Sequence, residues 1–530
     1  MARLIGVFVI LAWLISGLVA AEDVQVTVQG VTSIAKTDDT FVCATLDWWP
    51  KNKCDYDQCP WGQSGIPYLD LNNKILVNSI KAFQPLRLRV GGSLQDQVIY
   101  KLGDAAKECK PFATKNGTLF GFSGGCLEMH RWDQLNSFFN KTGAKVTFGI
   151  NALIGKKKSA DENDILWEGD WDSKNAKDFI NYTLSKGYNI DSYEFGNELC
   201  GTGVSARIEA KQYAKDVVAL KKIVQQVYKH EKTQPKVLGP SGFYEETWFN
   251  EFLQATGFEV LGGVTHHIYN MGPGVDKELI NRIQDPLYLD QIAQTFKDVS
   301  KDAAVYASWT GPWVSESGGA YNSGGKDVQQ YFVDGFWYID QLGMTSTFNH
   351  KVYCRQALIG GNYALLNTTT FVPNPDYYGA LLWHRLMGPN VLRVTHDGSP
   401  FLRVYSHCAR DKPGISLVLI SMSNSIAYDV TVGEDYNLLV GDYVRGTRNR
   451  KVGYSIDGRK RREEYHLTPE HGNIQSNVVL LNGTPLKLTD SLEIPPMNPN
   501  LVDASLPIHV EPDSIVFVTI RDFGAPACAA

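Results

Sequence analysis

The sequence carries no excess charge of one sign, and beyond residue 20 it contains no long apolar run. Its 51 Lys and Arg residues stand against 57 Asp and Glu residues, which gives a formal net charge of −6 with both signs well mixed. This balance argues against a nucleic-acid-binding protein and against a disordered acidic tail. No later stretch reaches the roughly 18 uninterrupted apolar residues of a membrane-spanning helix. The sequence therefore predicts no transmembrane segment.

The chain also lacks an internal repeat and a low-complexity tract, and no apolar tail follows Phe523 that would direct a lipid anchor. Its one long apolar run, Leu4–Leu18, follows Arg3 and precedes the small residues at positions 19–21. This pattern is typical of a secretory signal peptide, which we place at residues 1–21. We expect a secreted protein, located in the extracellular space and cell wall or delivered to a lysosome or vacuole by the same route.

Secretion exposes Asn-x-Ser/Thr triplets to glycosylation. The predicted glycosylation sites are Asn116, Asn140, Asn181, Asn367 and Asn482. An oxidising compartment also favours disulfides, and the odd count of nine Cys leaves at least one thiol free or intermolecular. Local loops are predicted for Cys54 with Cys59 and for Cys109 with Cys126. The spacing of Cys54 and Cys59 could also suit a metal, but no second pair lies at ligand spacing, and no metal is predicted.

Buried-type strands recur at wide spacing, with helix-length sequence between them. This alternation predicts a (β/α)8 barrel over residues 41–385. The predicted strands are 42–49, 86–91, 145–151, 193–198, 236–240, 263–269, 312–317 and 346–355. Helical spacing of apolar residues predicts helices at 206–228 and 327–342.

Short alternating strands follow the barrel and predict a β-sandwich over residues 386–526. The predicted strands are 391–394, 401–406, 415–421, 428–432, 465–467, 477–481 and 515–520. One more alternating segment, at 24–28 within the N-terminal stretch 22–40, precedes the barrel. We expect this strand to join the sandwich, which would bring the two termini together.

Two predicted barrel strands, the fourth and the seventh, end in an acidic residue. The segment 193–198 ends in Asn197 and Glu198, and Glu316 lies at the end of 312–317. The spacing between the two Glu fits three βα units of about 40 residues each, so both would face the same mouth of the barrel. Two carboxylates across a cleft are the equipment of a glycosidase. Each Glu alone could instead pair with an Arg or cap a helix.

Further polar residues follow the other predicted strands and would face the same mouth: Asp47, Arg89, Ser93, Asn151, His267, Tyr269 and Arg355. Glu198 would protonate the leaving oxygen, which requires a raised pKa. Glu316 would stay ionised and attack the anomeric carbon, with Tyr269 or Arg89 holding it charged. Asn197 would hold a substrate hydroxyl. Two carboxylates suffice for this chemistry, so no cofactor is predicted.

Five short motifs, taken in order, resemble the heparanase-like proteins of glycoside hydrolase family 79, and the plant members in particular. They are Leu88-Arg89-Val90-Gly91-Gly92-Ser93, Phe195-Gly196-Asn197-Glu198, His266-His267-Ile268-Tyr269, Glu316 with Ala320-Tyr321, and Arg355-Gln356 with Gly361-Asn362-Tyr363. The resemblance implies a retaining enzyme that cleaves β-linked glucuronic acid. It implies that Tyr363 and the backbone amides of Asn322 and Ser323 hold the sugar carboxylate, with Asp47, Ser93, His267 and Tyr269 in the same pocket.

Two departures from the animal enzymes touch the substrate. The segment Asn322-Ser323 replaces Gly-Gly, and Trp49 replaces an Asn, so heparan sulfate specificity does not carry over. The leading hypothesis is a secreted retaining β-glucuronidase that acts on plant glycans or glucuronide conjugates. One alternative is an endo-β-glucuronidase on an acidic polysaccharide, aided by basic runs at 156–158, 445–451 and 459–462. The other is a catalytically silent carbohydrate-binding wall protein.

Overall fold

The computed structural model describes residues 21–107, 109–161, 164–434, 454–455 and 460–529. Nearly all of the predicted signal peptide, the basic run 445–451 and Arg459 lie outside these ranges. Within them, no helix is both long and apolar enough to cross a bilayer.

Eight parallel strands close into a barrel, which confirms the predicted fold class. In chain order, barrel strands 1 to 8 are Val42–Asp47, Arg87–Gly91, Lys145–Ile150, Ser192–Phe195, Lys236–Phe243, Gly263–Ile268, Pro312–Ser317 and Tyr353–Arg355. The helices between and after them are Lys74–Lys81, Met129–Thr142, Lys174–Ser185, Ala210–Val227, Glu246–Thr256, Leu279–Ile283, Pro286–Asp290, Ala293–Tyr306, Asp334–Thr347 and Pro375–Leu386. Each strand pairs with the next in sequence, and strand 8 closes on strand 1.

The strands are buried on both faces because helices cover the outside and side chains fill the inside.

The predicted start of the last strand was wrong. Residues 346–347 belong to the helix Asp334–Thr347, and barrel strand 8 spans only Tyr353–Arg355. The hydroxyls of Ser346 and Thr347 donate to carbonyls of the preceding turn, at 2.7 Å in both cases, and so satisfy their hydrogen-bonding groups within the helix.

The helices also begin later than predicted. The helix Ala210–Val227 starts four residues past position 206, because Arg207 and Ile208 bond to other loops. The second predicted helix begins at Asp334 rather than 327. The intervening segment wraps around the loop after strand 7, where the Gln329 amide donates to the Gly318 carbonyl at 2.9 Å.

A second, sheet-rich domain follows the barrel and includes the N-terminal strand. Its strands are Glu22–Gln29, Ala35–Lys36, Met387–His396, Leu402–Ala409, Ile415–Ser421, Tyr428–Glu434, Tyr454–Ser455, Lys460–Pro469, Val479–Leu481, Thr484–Pro485, Asn500–Asp503, Ile508–Val510 and Ser514–Ile520. The short pieces Asn500–Asp503 and Ile508–Val510 were not predicted. Few alternating residues mark them, and pairing with longer strands defines them.

The N-terminal strand Glu22–Gln29 lies between two strands of this domain, as predicted. It runs antiparallel to Met387–His396 and parallel to Tyr428–Glu434. Its inward residues Val24, Val26 and Val28 share one core with residues of Ile415–Ser421 and Ser514–Ile520. The amide of Ala527 donates to the Gly30 carbonyl at 3.0 Å, so the two ends of the described chain meet.

Four disulfides link eight of the nine Cys, and Cys200 is free and buried. The predicted pairs Cys54–Cys59 and Cys109–Cys126 are confirmed. The other two were not predicted, because their partners are far apart in sequence. Cys408–Cys528 fastens the C-terminal segment to the second domain. Cys43–Cys354 joins residues paired directly across barrel strands 1 and 8, at the seam where the barrel closes.

We expect removal of the seam disulfide to destabilise the protein far more than removal of a local one. Cys43 and Cys354 are 311 positions apart, whereas Cys54 and Cys59 are 5 apart. A longer closed loop restricts the unfolded chain more, so Cys43→Ala with Cys354→Ala should cost about 4 kcal/mol and the matched local double variant about 2 kcal/mol. Denaturant unfolding measures both; equal losses would contradict the loop-length argument.

Candidate active site

Glu198 lies in a tight turn three residues past the end of barrel strand 4. Its backbone is left-handed, with φ of 55°, and its amide donates to the Ser241 carbonyl of strand 5 at 2.7 Å. A left-handed backbone at a non-glycine residue is strained, and such strain is typical of functional positions. The turn aims the Glu198 carboxyl into the barrel mouth, where the side chain is 7% exposed.

Glu316 lies on barrel strand 7 and is held by two donors. The Arg89 Nη1 donates to Glu316 Oε2 at 2.6 Å, and the Tyr269 hydroxyl donates to Oε1 at 2.8 Å. The carboxylate is 5% exposed. A cation and a phenol stabilise the ionised form, and both oxygens stay fixed in direction.

Arg89 is fully buried and its remaining nitrogens bind three further side chains. Its Nε donates to Glu194 Oε2 at 2.8 Å, and its Nη2 donates to Asn197 Oδ1 at 2.8 Å and to Ser241 Oγ at 3.0 Å. We call this set, with Glu316, the Arg89 cluster. Although burial acts to raise the pKa of Glu194, the guanidinium of Arg89 holds that pKa below its usual range. The one buried guanidinium of Arg89 thus pairs with two carboxylates, Glu194 and Glu316.

His267 connects the Arg89 cluster to Glu198. Its Nε2 lies 3.1 Å from Ser241 Oγ, and its Nδ1 lies 3.1 Å from Glu198 Oε1. Burial lowers the pKa of His267 to about 4, so the ring is neutral. We assign the tautomer in which the Ser241 hydroxyl donates to Nε2 and Nδ1–H donates to Glu198 Oε1, because it satisfies both ring nitrogens. Oε2 of Glu198 remains to face a substrate.

The two carboxylates face each other across a narrow gap. One oxygen of Glu198, one of Glu316 and a ring nitrogen of His267 all lie within 4.8 Å of one another. Burial raises the pKa of Glu198 to about 7. The pair therefore combines a carboxyl that is protonated near neutral pH with a carboxylate held by Arg89 and Tyr269.

Asp47 and Tyr363 line the cleft beside Glu316. Asp47 Oδ2 accepts from the Gln356 amide at 2.6 Å, and Oδ1 accepts from the Trp48 backbone amide at 3.0 Å. Burial, followed by the charge of Glu316, raises the pKa of Asp47 to about 7. Burial and the nearby Asp47 charge raise the pKa of Tyr363 as well, so its phenol is a neutral donor.

The loop after strand 7 forms the outer wall next to Tyr363. Asn322 and Ser323 have left-handed backbones, with φ of 57° and 69°. The disulfide-closed loop around residues 54–59 holds them: the Ser323 hydroxyl donates to Asp55, and the Asn322 amide donates to the Tyr56 hydroxyl at 3.0 Å. Trp61 adds an indole N–H to Ser323 Oγ at 2.9 Å. The wall is therefore fixed by side chains on both loops.

Glu198, His267 and Glu316 are also a donor set that a divalent cation could use. Arg89 already places a positive charge 2.6 Å from Glu316. Nδ1–H of His267 points at Glu198 and offers no lone pair there. The arrangement suits proton transfer better than cation binding, and the absence of a metal stays a prediction.

Comparison with known proteins agrees with the motifs. The model of the glycosyl hydrolase family 79 N-terminal domain matches residues 23–343. The chain belongs to glycoside hydrolase family 79. It is 50% identical to heparanase-like protein 1 of Arabidopsis thaliana, covering 95% of this chain and 94% of that protein. It is 37% identical to baicalin-β-D-glucuronidase of Scutellaria baicalensis, covering 95% and 93%.

Solved structures extend the likeness to the fold. The family 51 arabinofuranosidase of Xanthomonas axonopodis pv. citri superposes with a TM-score of 0.65 at 14% identity, covering 94% of this family 79 chain and all of that one. An identity this low carries information on architecture alone. It supports the architecture of a barrel with an attached sheet domain.

Most predicted site residues converge in this family 79 barrel, and a few do not. Direct hydrogen bonds link Arg89, Asn197, Glu198, His267, Tyr269 and Glu316. Asp47, Ser323 and Tyr363 line the adjoining cleft, and Asn322 is exposed on its rim. Ser93 is partly exposed beside Asp47 and bonds to none of these side chains. Asn151 donates to the Val98 carbonyl at 2.8 Å and supports the loop behind the site.

The basic runs are only partly surface features in the described residues. Lys156 is buried and its Nζ lies 2.6 Å from Asp216 Oδ2, while Lys157 and Lys158 are exposed. Arg462 is also buried, and its guanidinium binds Glu464 and the carbonyls of Leu506 and Pro507. Neither Lys156 nor Arg462 is available to an acidic polysaccharide. Of the glycosylation candidates, the side chains of Asn116, Asn140 and Asn181 are exposed and those of Asn367 and Asn482 are partly buried.

Sequence reasoning missed three residues that position the site. Glu194 shares Arg89 with Glu316, Asp96 accepts the Asn197 backbone amide at 2.9 Å, and Ser241 joins Arg89 to His267. Glu194 had a detectable signal, since it is a carboxylate inside a strand that is otherwise aromatic and buried. Asp96 lies in a short 3-10 helix and Ser241 lies inside barrel strand 5, and their neighbours in sequence give no such signal.

Proposed function

We propose that this protein is a secreted, retaining β-glucuronidase that cleaves plant glycans or glucuronide conjugates by double displacement. The observation that carries the proposal is the pair Glu198 and Glu316, with carboxyl oxygens within 4.8 Å at the mouth of the barrel. Carboxyls about 5–5.5 Å apart suit a retaining enzyme, whereas inverting enzymes need about 6.5–9.5 Å to admit a water molecule.

In the first displacement, Glu316 attacks the anomeric carbon while Glu198 protonates the departing oxygen. The new bond joins the anomeric carbon to a Glu316 oxygen, and the bond to the leaving oxygen breaks. Arg89 and Tyr269 donate to the two Glu316 oxygens and hold the carboxylate in position for the attack. Burial keeps the Glu198 proton in place near neutral pH.

In the second displacement, a water molecule takes the place of the leaving group. Glu198, now ionised, accepts a proton from the water as its oxygen bonds to the anomeric carbon, and the bond to Glu316 breaks. His267 donates to Oε1 of Glu198 throughout, so Oε2 handles the proton in both steps. The Nδ2 of Asn197 is buried without a partner among the described residues and can donate to a sugar hydroxyl.

Specificity for glucuronic acid is proposed from the wall around Tyr363. A sugar carboxylate needs hydrogen-bond donors, and the Tyr363 phenol and the backbone amides of Asn322 and Ser323 are donors of this kind. The relatives support this assignment, since one of them is named baicalin-β-D-glucuronidase. These donors are neutral, so they add no second cation that would compete with Arg89 for Glu316.

Hydrolysis of 4-nitrophenyl β-glucuronide beside the matching β-glucoside tests the proposal. We expect the glucuronide to be cleaved faster, because the glucoside leaves the donors at Tyr363 and Ser323 without a carboxylate. Proton NMR of the first product should show the β-anomer. Faster cleavage of the glucoside, or a first product of α configuration, would refute the proposal. The same assay on an acidic polysaccharide separates endo action, which yields oligosaccharides, from exo action, which yields free glucuronic acid.

The pH profile should reflect the raised pKa of Glu198. The acid must be protonated to assist departure, so kcat/KM for a glucuronide with a poor leaving group should fall as pH rises through about 7. In Glu198→Gln, the residual hydrolysis of the same glucuronide should lose this alkaline limb. Initial rates from pH 4 to 9 measure both. An unchanged limb in the variant would assign it to another group, such as Asp47.

Secretion is proposed from the signal-like N-terminus and the three exposed sequons. Expression of the full chain in plant cells, followed by glycosidase treatment of the secreted fraction, tests both. We expect enzyme in the medium or wall fraction and a loss of mass after deglycosylation. Replacing Asn116, Asn140 and Asn181 by Gln should remove most of that mass difference. Retention of the full chain in the cytosol would exclude the secretory route.

A further inference from the structure

Phe243 is an exposed aromatic residue at the mouth of the barrel that the proposed chemistry does not use. It is the last residue of barrel strand 5, where the six residues before it are buried or nearly so, yet its side chain is 40% exposed. An exposed aromatic ring beside a catalytic cleft is placed to contact a ligand that enters the cleft.

The Phe243 ring packs against two residues that hold the catalytic carboxylates. Its centroid lies 6.2 Å from the His267 ring and 6.2 Å from the Tyr269 ring, at interplanar angles of 79° and 55°. His267 bonds to Glu198 and Tyr269 bonds to Glu316. These contacts leave part of the Phe243 ring open to solvent beside the two residues that hold the carboxylates.

The backbone at Phe243 places the ring on the Glu198 side of the cleft. The Cys200 thiol donates to the Phe243 carbonyl at 3.4 Å. At Gly242, an added Cβ would lie 2.5 Å from Cys200 Sγ and 3.0 Å from the Glu198 Cα, so only glycine lets the two segments approach this closely. Phe243 is thus tied to the turn that carries the proton donor.

The position of the proton donor decides which part of a substrate meets this ring. The oxygen that leaves must lie within hydrogen-bond reach of Glu198, so the leaving group extends from that side. The opposite wall, with Asp47, Tyr363 and Ser323, is polar and suits the glucuronic acid itself. We propose that Phe243 is a stacking platform for the first ring of the leaving group, a ring that presents an apolar face. This inference rests on the proposed function.

Phe243→Ala tests the platform with three glucuronides. 4-Nitrophenyl β-glucuronide has an aromatic leaving ring, cellobiouronic acid has a sugar ring, and β-glucuronosyl fluoride has no ring. Stacking of this kind is worth about tenfold in affinity. We expect kcat/KM to fall by about that factor for the ring-bearing substrates and to stay within about twofold for the fluoride. A loss for the aryl substrate alone identifies an aromatic occupant; a loss for both identifies any ring with an apolar face.

Two further variants control for structural effects. Phe243→Tyr keeps the ring and should restore the ring-bearing rates. Phe258→Ala removes a ring that is 73% exposed near the opposite end of the barrel, before strand 6, and should change no rate. Equal losses on the fluoride and the aryl substrate would show that Phe243 acts through His267 or Tyr269, which overturns the platform. Unchanged rates on all three substrates would overturn it too. If the wild type hydrolyses no glucuronide, the proposed function fails and takes this inference with it.

Discussion

Replacing Glu316 by Gln should lower kcat for 4-nitrophenyl β-glucuronide by about 10⁵-fold, the order of loss found when a covalent nucleophile is removed. The amide is a poor nucleophile, so the covalent bond to the anomeric carbon cannot form. It is also neutral, so it cannot stabilise the positive charge that develops on the sugar. KM should change little, because Asp47 and the Tyr363 wall still bind the sugar. Single-turnover and steady-state rates check both parameters. Glu246→Gln, the same change on an exposed barrel helix, is the matched control.

A smaller side chain at position 316 allows a sharper test of the role. In Glu316→Ala, azide can enter the space that the carboxylate leaves and displace the 4-nitrophenolate from the same face. The product should be the α-glucuronosyl azide. A thermal melt near that of the wild type shows that the variant folds. A loss smaller than about a hundredfold, or a β-configured azide product, would remove Glu316 from the nucleophile's role.

Replacing Glu198 by Ala should produce the second largest loss, and its size should depend on the leaving group. For a sugar leaving group, which must be protonated to depart, we expect kcat/KM to fall by about 10⁴-fold, near the upper end for general acid catalysis. For 4-nitrophenolate, which departs without a proton, the first displacement should be far less affected. A series of aryl glucuronides of different leaving-group pKa measures this dependence.

The intermediate formed in Glu198→Ala should react with azide from the opposite face to that in the Glu316 variant. Attack on the Glu316-linked sugar displaces the carboxylate and yields the β-glucuronosyl azide. The two variants therefore predict products of opposite configuration, which NMR distinguishes. A uniform loss across all leaving groups would contradict the role of Glu198 as the proton donor and would point to a positional role through His267.

The Arg89 cluster gives the two neighbouring carboxyls different surroundings. Glu316 contacts a cation and a phenol, whereas Glu198 contacts a neutral imidazole. Both carboxyls are buried, and burial raises the pKa of Glu198 to about 7. The contact with Arg89 distinguishes them, and Glu194 provides the second negative charge that keeps this buried cation balanced.

Much of this arrangement could be predicted from local sequence. Each barrel strand is a short buried run, and Glu198 and Glu316 follow two such runs. Because parallel strands in a closed barrel end at one face, two acids three βα units apart had to approach the same mouth. Arg89, His267 and Tyr269 were predicted on the same ground, by their positions near strand ends.

Other parts depended on which distant residues the closed barrel brings together. Arg89 and Glu316 are 227 positions apart, and Cys43 and Cys354 are 311 apart. In both pairs, the residues that flank each partner in sequence are those of an ordinary strand, so they do not indicate the contact. The same holds for the loop around residues 54–59, whose disulfide was predicted but whose contacts with Asn322 and Ser323 were not.

The amino-acid pattern alone therefore predicted the barrel and the second domain and singled out Glu198 and Glu316, because hydrophobic periodicity and strand-end polarity are local properties. The tertiary structure decided which residues hold each carboxyl and where Phe243 lies. Those features depend on burial and on contacts across the barrel, and only closure of the barrel creates them.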